Sequence, residues 1–260
     1  ADSVGELMDS PGGRLLLAIK AHLRRRVKLL AAAFGLTFVV CFPLTSMFIA
    51  WLIEPNRLPD DVNIIVLTPV EFILLQVKLA AYCGAFPVLV LLFGEGAWLG
   101  SKNPDLKQRM RELKATAPRP SATLVLTIVS SVALGCLGVM YAWNLLTPML
   151  LEYLTNDAQS AGLSTEWRLS GYVGFIANLA VASAIGFQAP VATLLVLRLQ
   201  IASRSDVRKV RRHIWFSAFV LGAFLSPPDP LSLFLVAMPV ILLFEAALII
   251  DTITRKPVAE

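Results

Sequence analysis

The stretch "SPPDPLSLFLVAMPVILLFEAALI", residues 226–249, decides how the chain is read. An apolar run starting near Ile214 is cut by Pro227, Pro228, Asp229 and Pro230, then resumes and carries a lone carboxylate, Glu245, deep in its second half. Proline cannot donate to the helix ladder and disfavours helix in the residue before it. The stretch therefore reads as two apolar helices joined by a tight turn, with Asp229 in water. The first of them, Ile214 to Leu225, rises only ~18 Å. A hydrocarbon core ~30 Å thick needs about 20 helical residues, so this span either thins the bilayer or ends below its surface.

Working outward, the same apolar character recurs at Leu29–Ile53, Phe72–Leu99, Ala122–Leu151, Tyr172–Leu197 and Leu231–Ile250. Over 260 residues the chain is 57% hydrophobic and only 16% charged, with a mean hydropathy of +0.71. None of the windows alternates, which argues against a membrane β-barrel. The expectation is an all-α membrane protein of six spans, with an amino-terminal segment over 1–28, a membrane domain over 29–250 and a tail over 251–260. No cleavable signal peptide is read ahead of the first window. Cys41, Cys83 and Cys136 fall inside apolar windows without a CxxC pair and read as small buried hydrophobes. Two isolated histidines, His22 and His213, argue for no metal site, and no cofactor is implied.

Basic residues sort the connections. Arg14, Lys20, Arg24, Arg25, Arg26 and Lys28 precede the first window, Lys102 to Arg119 follow the second, Arg198 to Arg212 follow the fourth, and Arg255 and Lys256 close the chain. The alternate connections hold only Arg57 and Arg168, against Glu54, Asp60, Asp61, Glu152, Asp157, Glu166 and Asp229. Six spans with both termini cytoplasmic satisfy the positive-inside rule at every connection. Topology thus explains the basic clusters without nucleic acid or an anionic substrate, and anionic lipid is the alternative partner.

Ionisable groups at membrane depth cost roughly 2.5–3.5 kcal/mol each on insertion scales, so each calls for a partner. Glu71 and Lys78 share a helical face ~10 Å apart by rise, too far to pair directly. Glu71 is expected at the outer interface with Lys78 snorkelling towards it, or the two form a polar contact site. Glu95, flanked by glycines, reads as an interfacial carboxylate at the inner end of the second span. Gln188, two residues before Pro190, sits where the helix should bend and can bridge to a neighbouring helix. Glu245 belongs to the inner third of the last span and faces protein or a wet pocket.

The segments "LTPVEFILLQVKLAAYCGAFPVLV", "YAWNLLTPMLLEYL", "GFQAPV" and "RRHIWFSAFVLGAFLSPPDPLSLFLVAMPVILLFEAAL", in this order and spacing, resemble the TatC family, the multi-spanning core subunit of the twin-arginine protein translocase. The resemblance runs from about residue 20 to residue 250. It implies a glove-shaped six-helix fold in the cytoplasmic (inner) membrane with a concave face. It also implies recognition of signal peptides bearing two arginines, association with single-span Tat subunits, and export of folded proteins without bond chemistry or a cofactor. A receptor for an arginine pair wants carboxylates on its cytoplasmic face.

Here the chain departs from the family pattern. In "HLRRRV", His22 stands where a glutamate is usual, and counting from Pro104 in "NPDLKQRMRE" reaches Met110 where another is usual. Glu95, Asp105, Glu112 and His22 are the remaining candidates for signal-peptide binding. Lys78, Glu71, Gln188 and Glu245 are candidates for partner-helix contact, and Pro227, Pro228 and Asp229 form the outer turn. Two readings stand: a translocase subunit with relocated carboxylates, or a TatC-like scaffold or accessory subunit of another membrane complex that has lost signal recognition. A small-solute transporter is disfavoured, since no inverted repeat is visible.

Overall fold

Helix makes up almost all of the described chain, because no other open structure satisfies backbone groups in hydrocarbon. The computed structural model describes residues 11–54, 63–102, 120–162, 166–199, 202–225 and 229–254. In chain order these are α1 (Pro11–Leu52), β1 (Asn63–Ile65), α2 (Pro69–Lys102), α3 (Pro120–Tyr141), a π-helical turn (Ala142–Leu146), α4 (Thr147–Ser160), β2 (Glu166–Arg168), α5 (Leu169–Gly186), α6 (Ala189–Arg198), α7 (Arg204–Leu225) and α8 (Pro230–Thr254). Among the described residues, five stretches are long and apolar enough to cross a membrane: Arg26–Leu52, Pro69–Trp98, Leu124–Ser160, Leu169–Arg198 and Pro230–Thr254. α7 is not among them, since Arg204, Arg208, Lys209, Arg211 and Arg212 fill its first half.

Three features depart from the sequence expectation. The connections before α2 and before α5 are zipped together by β1 and β2, a parallel pair in which Asn63 faces Glu166 and Ile65 faces Arg168. Three residues each show no alternation, so nothing in the sequence announced them. The last helix also runs past residue 250, and Asp251, assigned above to the tail, is fully buried. The cysteines depart as well: Cys83 and Cys136 are exposed and Cys41 half-buried, so none is a fully buried core residue.

Among the described residues, buried side chains gather at the strand end, midway and at the opposite end. At the strand end, Ile49 and Leu52 of α1 and Leu75 and Leu79 of α2 meet Leu151 of α4 and Val173 and Ile176 of α5. Midway, Leu146 of the π turn and Leu150 of α4 pack on Leu179 and Ala182 of α5 and Val236 of α8. At the opposite end, Leu197, Val207 and Phe244 join α6, α7 and α8. Between α3 and α5 the backbones nearly touch: a Cβ on Gly138 would lie 2.5 Å from the Ser183 carbonyl oxygen. Such close approach is how spans associate where burial from lipid gains little. α1 packs mainly along α2 and leaves a wide apolar face outward, with Leu36, Val39 and Met47 each about 70% exposed.

The turn into the last helix has its own local logic. Asp229 is not simply solvated: it is half-buried and caps α8. Its Oδ2 accepts from the Ser232 backbone N–H at 2.8 Å and its Oδ1 from the Ser232 hydroxyl at 2.5 Å. Pro230 follows at the first helical position, where its missing N–H does no harm. Pro227 and Pro228 lie outside the described residues. Further along, Pro239 cannot donate to the carbonyl of Leu235, four residues back. The Tyr141 hydroxyl, at the end of α3, donates to that carbonyl at 2.9 Å. α7 opens with a reciprocal capping box: Ser203 Oγ accepts from the Asp206 N–H at 3.2 Å, and Asp206 Oδ2 accepts from the Ser203 N–H at 3.1 Å. Hydrogen bonds from Ser203 hold the Asp206 carboxyl below its ordinary range.

Tyr141→Phe, which leaves the Leu235 carbonyl without a donor, is expected to lower stability by about 1 kcal/mol. In a Pro239→Ala background, where the restored backbone N–H can donate to Leu235, the same change should have no effect. Equilibrium unfolding of the four variants in detergent micelles closes this cycle.

Candidate functional site

Polar groups at membrane depth occur at three levels. At the strand end Glu71, in the first turn of α2, is 4% exposed and fully engaged. Its Oε1 accepts from Arg168 Nε at 2.9 Å and from the Ser170 N–H at 2.8 Å, and its Oε2 from the Leu67 N–H at 3.2 Å. Arg168, delivered by β2, answers Glu71; Lys78, too far to pair directly by its spacing, is not its partner. Parallel pairing of β1 with β2 sets the register that brings them together.

One level in, Lys78 of α2 turns to α5. Its ammonium lies 5.7 Å from the centroid of the Tyr82 ring and packs beside Gly174, where a Cβ would lie 3.7 Å from it. The Tyr82 hydroxyl donates to Asn178 Oδ1 at 2.9 Å. Deeper still, the fourth span breaks between α5 and α6 at Phe187 and Gln188, ahead of Pro190. Gln188 is 3% exposed and bridges to α3: its Nε2 donates to the carbonyls of Ser131 and Ala184 at 3.1 Å each, and its Oε1 accepts from the Ser131 hydroxyl at 2.5 Å.

The third level is the end opposite the strands. Glu95 lies 3.7 Å from Arg26 of α1, with its side chain 14% exposed. Glu245 Oε1 accepts from Arg211 Nε at 2.6 Å and Trp215 Nε1 at 3.0 Å, while the Arg211 guanidinium stacks 4.8 Å from the Trp215 ring. Asp251 is fully buried and joins three helices: Arg204 Nε of α7 donates to its Oδ2 at 2.7 Å, Arg198 of α6 lies 3.6 Å from its Oδ1, and Arg204 Nη2 also donates to its backbone carbonyl.

Of the four candidate signal-contact residues, Glu95 is described, while the His22 side chain, Asp105 and Glu112 lie outside the described residues. Met110 lies outside them too. Asp251 and Arg168 were missed from sequence. Arg168 stood out only as a base in an otherwise acidic connection, and Asp251 only as an acid bracketed in space by the short connection from Arg198 to Arg204.

A family model described as Sec-independent protein translocase protein (TatC) matches residues 19–239. This chain belongs to the TatC family. Among TatC relatives, the protein of Halalkalibacterium halodurans named Sec-independent protein translocase protein TatC is 26% identical over 241 residues, 92% of this chain and 89% of its own length. The one from Rickettsia prowazekii is 27% identical over 245 residues, covering 93% and 92%. That of Escherichia coli strain K12 is 35% identical over 118 residues, 45% of each chain. The crystal structure of the twin arginine translocase receptor TatC in DDM superposes with a TM-score of 0.72 at 23% identity, covering 89% of this chain and 98% of that one. The TatC fold is thus reproduced in a multi-spanning membrane protein with at least five long apolar crossings.

Removing one partner of a buried ion pair costs more than replacing both. Asp251→Ala should therefore destabilise the α6–α7–α8 end by roughly 3–5 kcal/mol, whereas Asp251→Leu combined with Arg204→Met should recover most of that loss. Unfolding in micelles measures both.

Proposed function

We propose that this TatC-family chain is the core and receptor subunit of a twin-arginine translocase, taking part in export of folded proteins across an energised cytoplasmic membrane. The observation that carries the reading is the family match over nearly the whole membrane domain. As a translocase component it moves proteins and is not an enzyme. In this reading α7 supplies a sixth, short span from Ile214 onward, and both termini lie in the cytoplasm. Charge supports that orientation. Arg57 and Arg168 are the bases in the connections at the strand end, and Arg168 is neutralised by Glu71.

The signal site is proposed on the cytoplasmic face, where Glu95 offers a carboxylate. Arg26 lies 3.7 Å from it, within ion-pair reach, so a cation is already accommodated beside this acid. An incoming guanidinium exchanges for Arg26. Asp105 and Glu112, on the connection that follows α2, supply the second carboxylate, and His22 stands beside the site on α1. Like charge on the surrounding basic connections makes the exchange demanding, since desolvated like charges repel by several kcal/mol. Single-span Tat subunits are the proposed lateral partners, meeting the chain near Lys78, Gln188 and Glu245, with anionic lipid at the basic connections. A second reading, a TatC-like scaffold of another membrane complex, is favoured by His22 and Met110 standing where the family's carboxylates are usual.

The test is photo-crosslinking of a twin-arginine signal peptide to the full chain in vesicles, against a twin-lysine control. Arginine-dependent crosslinks at Glu95, Asp105 or Glu112 are expected, and Glu95→Gln should weaken them about tenfold or more, the loss of a charge-assisted pair. Equal labelling by both peptides in a folded preparation excludes the receptor role and leaves the scaffold reading.

A further inference from the structure

Of the polar groups the chain carries at membrane depth, most are engaged internally. Glu71 commits both oxygens to Leu67, Arg168 and Ser170; Gln188 commits its amide to Ser131 and Ala184; Glu245 holds Arg211 and Trp215. Lys78 is different. Among the described residues no carboxylate lies within ion-pair distance of its ammonium, and Glu71, the nearest acid on its own helix, is already neutralised by Arg168. Beside it stands Asn178, whose Oδ1 is taken by Tyr82 while its amide hydrogens have no acceptor among the described residues. The recess between α2 and α5 thus presents donors and a positive charge with no anion to receive them. Gly174 and Asn178 lie ~7.5 and ~13.5 Å along α5 from Leu169 by helical rise, within the hydrocarbon rather than at the headgroups. An uncompensated cation at that depth is costly.

We infer that Lys78, with Asn178 and Tyr82, forms the docking point for a carboxylate carried in the membrane-spanning segment of a partner. Charge complementarity chooses the occupant: a recess of donors at this depth fits an aspartate or glutamate side chain on a helix better than a lipid phosphate, which sits higher. Gly174 borders the site: a Cβ there would lie 3.7 Å from the ammonium, an ordinary contact, so an alanine fits beside it. The inference deepens the proposal that partner helices meet this chain near Lys78, and it rests on that proposal, but not on signal-peptide recognition.

The experiment uses the full chain in phosphatidylcholine vesicles with a photoreactive benzoylphenylalanine at Val77, an exposed neighbour of Lys78. The probes are two synthetic leucine–alanine spans, one bearing a single glutamate at the depth of Gly174 and one bearing glutamine there. The glutamate span should be labelled at least ~tenfold more than its twin. Lys78→Met should erase the preference, Lys78→Arg should keep it, and Lys78→Glu should transfer it to a lysine-bearing span. Equal labelling of the two spans, labelling of neither, or an undiminished preference in Lys78→Met overturns the inference. Adducts only to lipid, once phosphatidylglycerol is added, overturn it in favour of a phosphate site. Should Lys78→Met not fold, the glutamate-to-glutamine ratio on the unsubstituted chain decides alone. Because no signal peptide enters this assay, its failure leaves the receptor test standing, and a failed receptor test leaves this one readable.

Discussion

One buried carboxylate organises the strand end. Glu71 accepts from a loop N–H, a helix N–H and a guanidinium, drawn from the connections before α2 and before α5. Within a low-dielectric layer each of these bonds is stronger than in water, and each group would be expensive to leave unmet. The β1–β2 pairing and the packing of Ile49, Leu75 and Val173 beneath it follow from the same approach of α2 to α5. Remove the acid and Arg168 loses its reason to be there.

The same rule runs through the rest of the molecule. A carbonyl released by Pro239 is met by Tyr141, a helix break before Pro190 is met by Gln188 and Ser131, and the α6–α7 connection is pinned by Asp251. Prolines remove donors from the helix ladders, and a polar side chain from a neighbouring helix attends two of these places. Small residues such as Gly138 then let the backbones come close enough for those side chains to reach. α1 takes little part in this network, being held chiefly along α2 and facing outward over much of its length.

What could be read in the sequence was whatever depends on neighbours along the chain. The long apolar windows, the turn at Asp229 and Pro230 and the break at Gln188 are local or compositional, and they stand close to where spacing put them. The partners were out of reach, because they are set by which helices touch. Arg168 answers Glu71 across 97 residues, and Ser131 answers Gln188 across 57. Asp251 looked like the first residue of a tail because hydropathy fades there, although two arginines from separate helices enclose it. The π turn at Ala142–Leu146 has no sequence mark beyond its aromatic surroundings.

The separation between Glu71 and Arg168 also has a meaning in time. The acid is synthesised with the second span, and its arginine follows 97 residues later, roughly 5–20 s at ordinary rates of chain growth. Until then Glu71 has only its own helix start to answer it, and the second span sits in the bilayer as an unfinished element. Closure of the strand end is therefore a late event in biogenesis, gated by arrival of the fourth span, and a chain truncated before that span would carry an acid without its counter-ion.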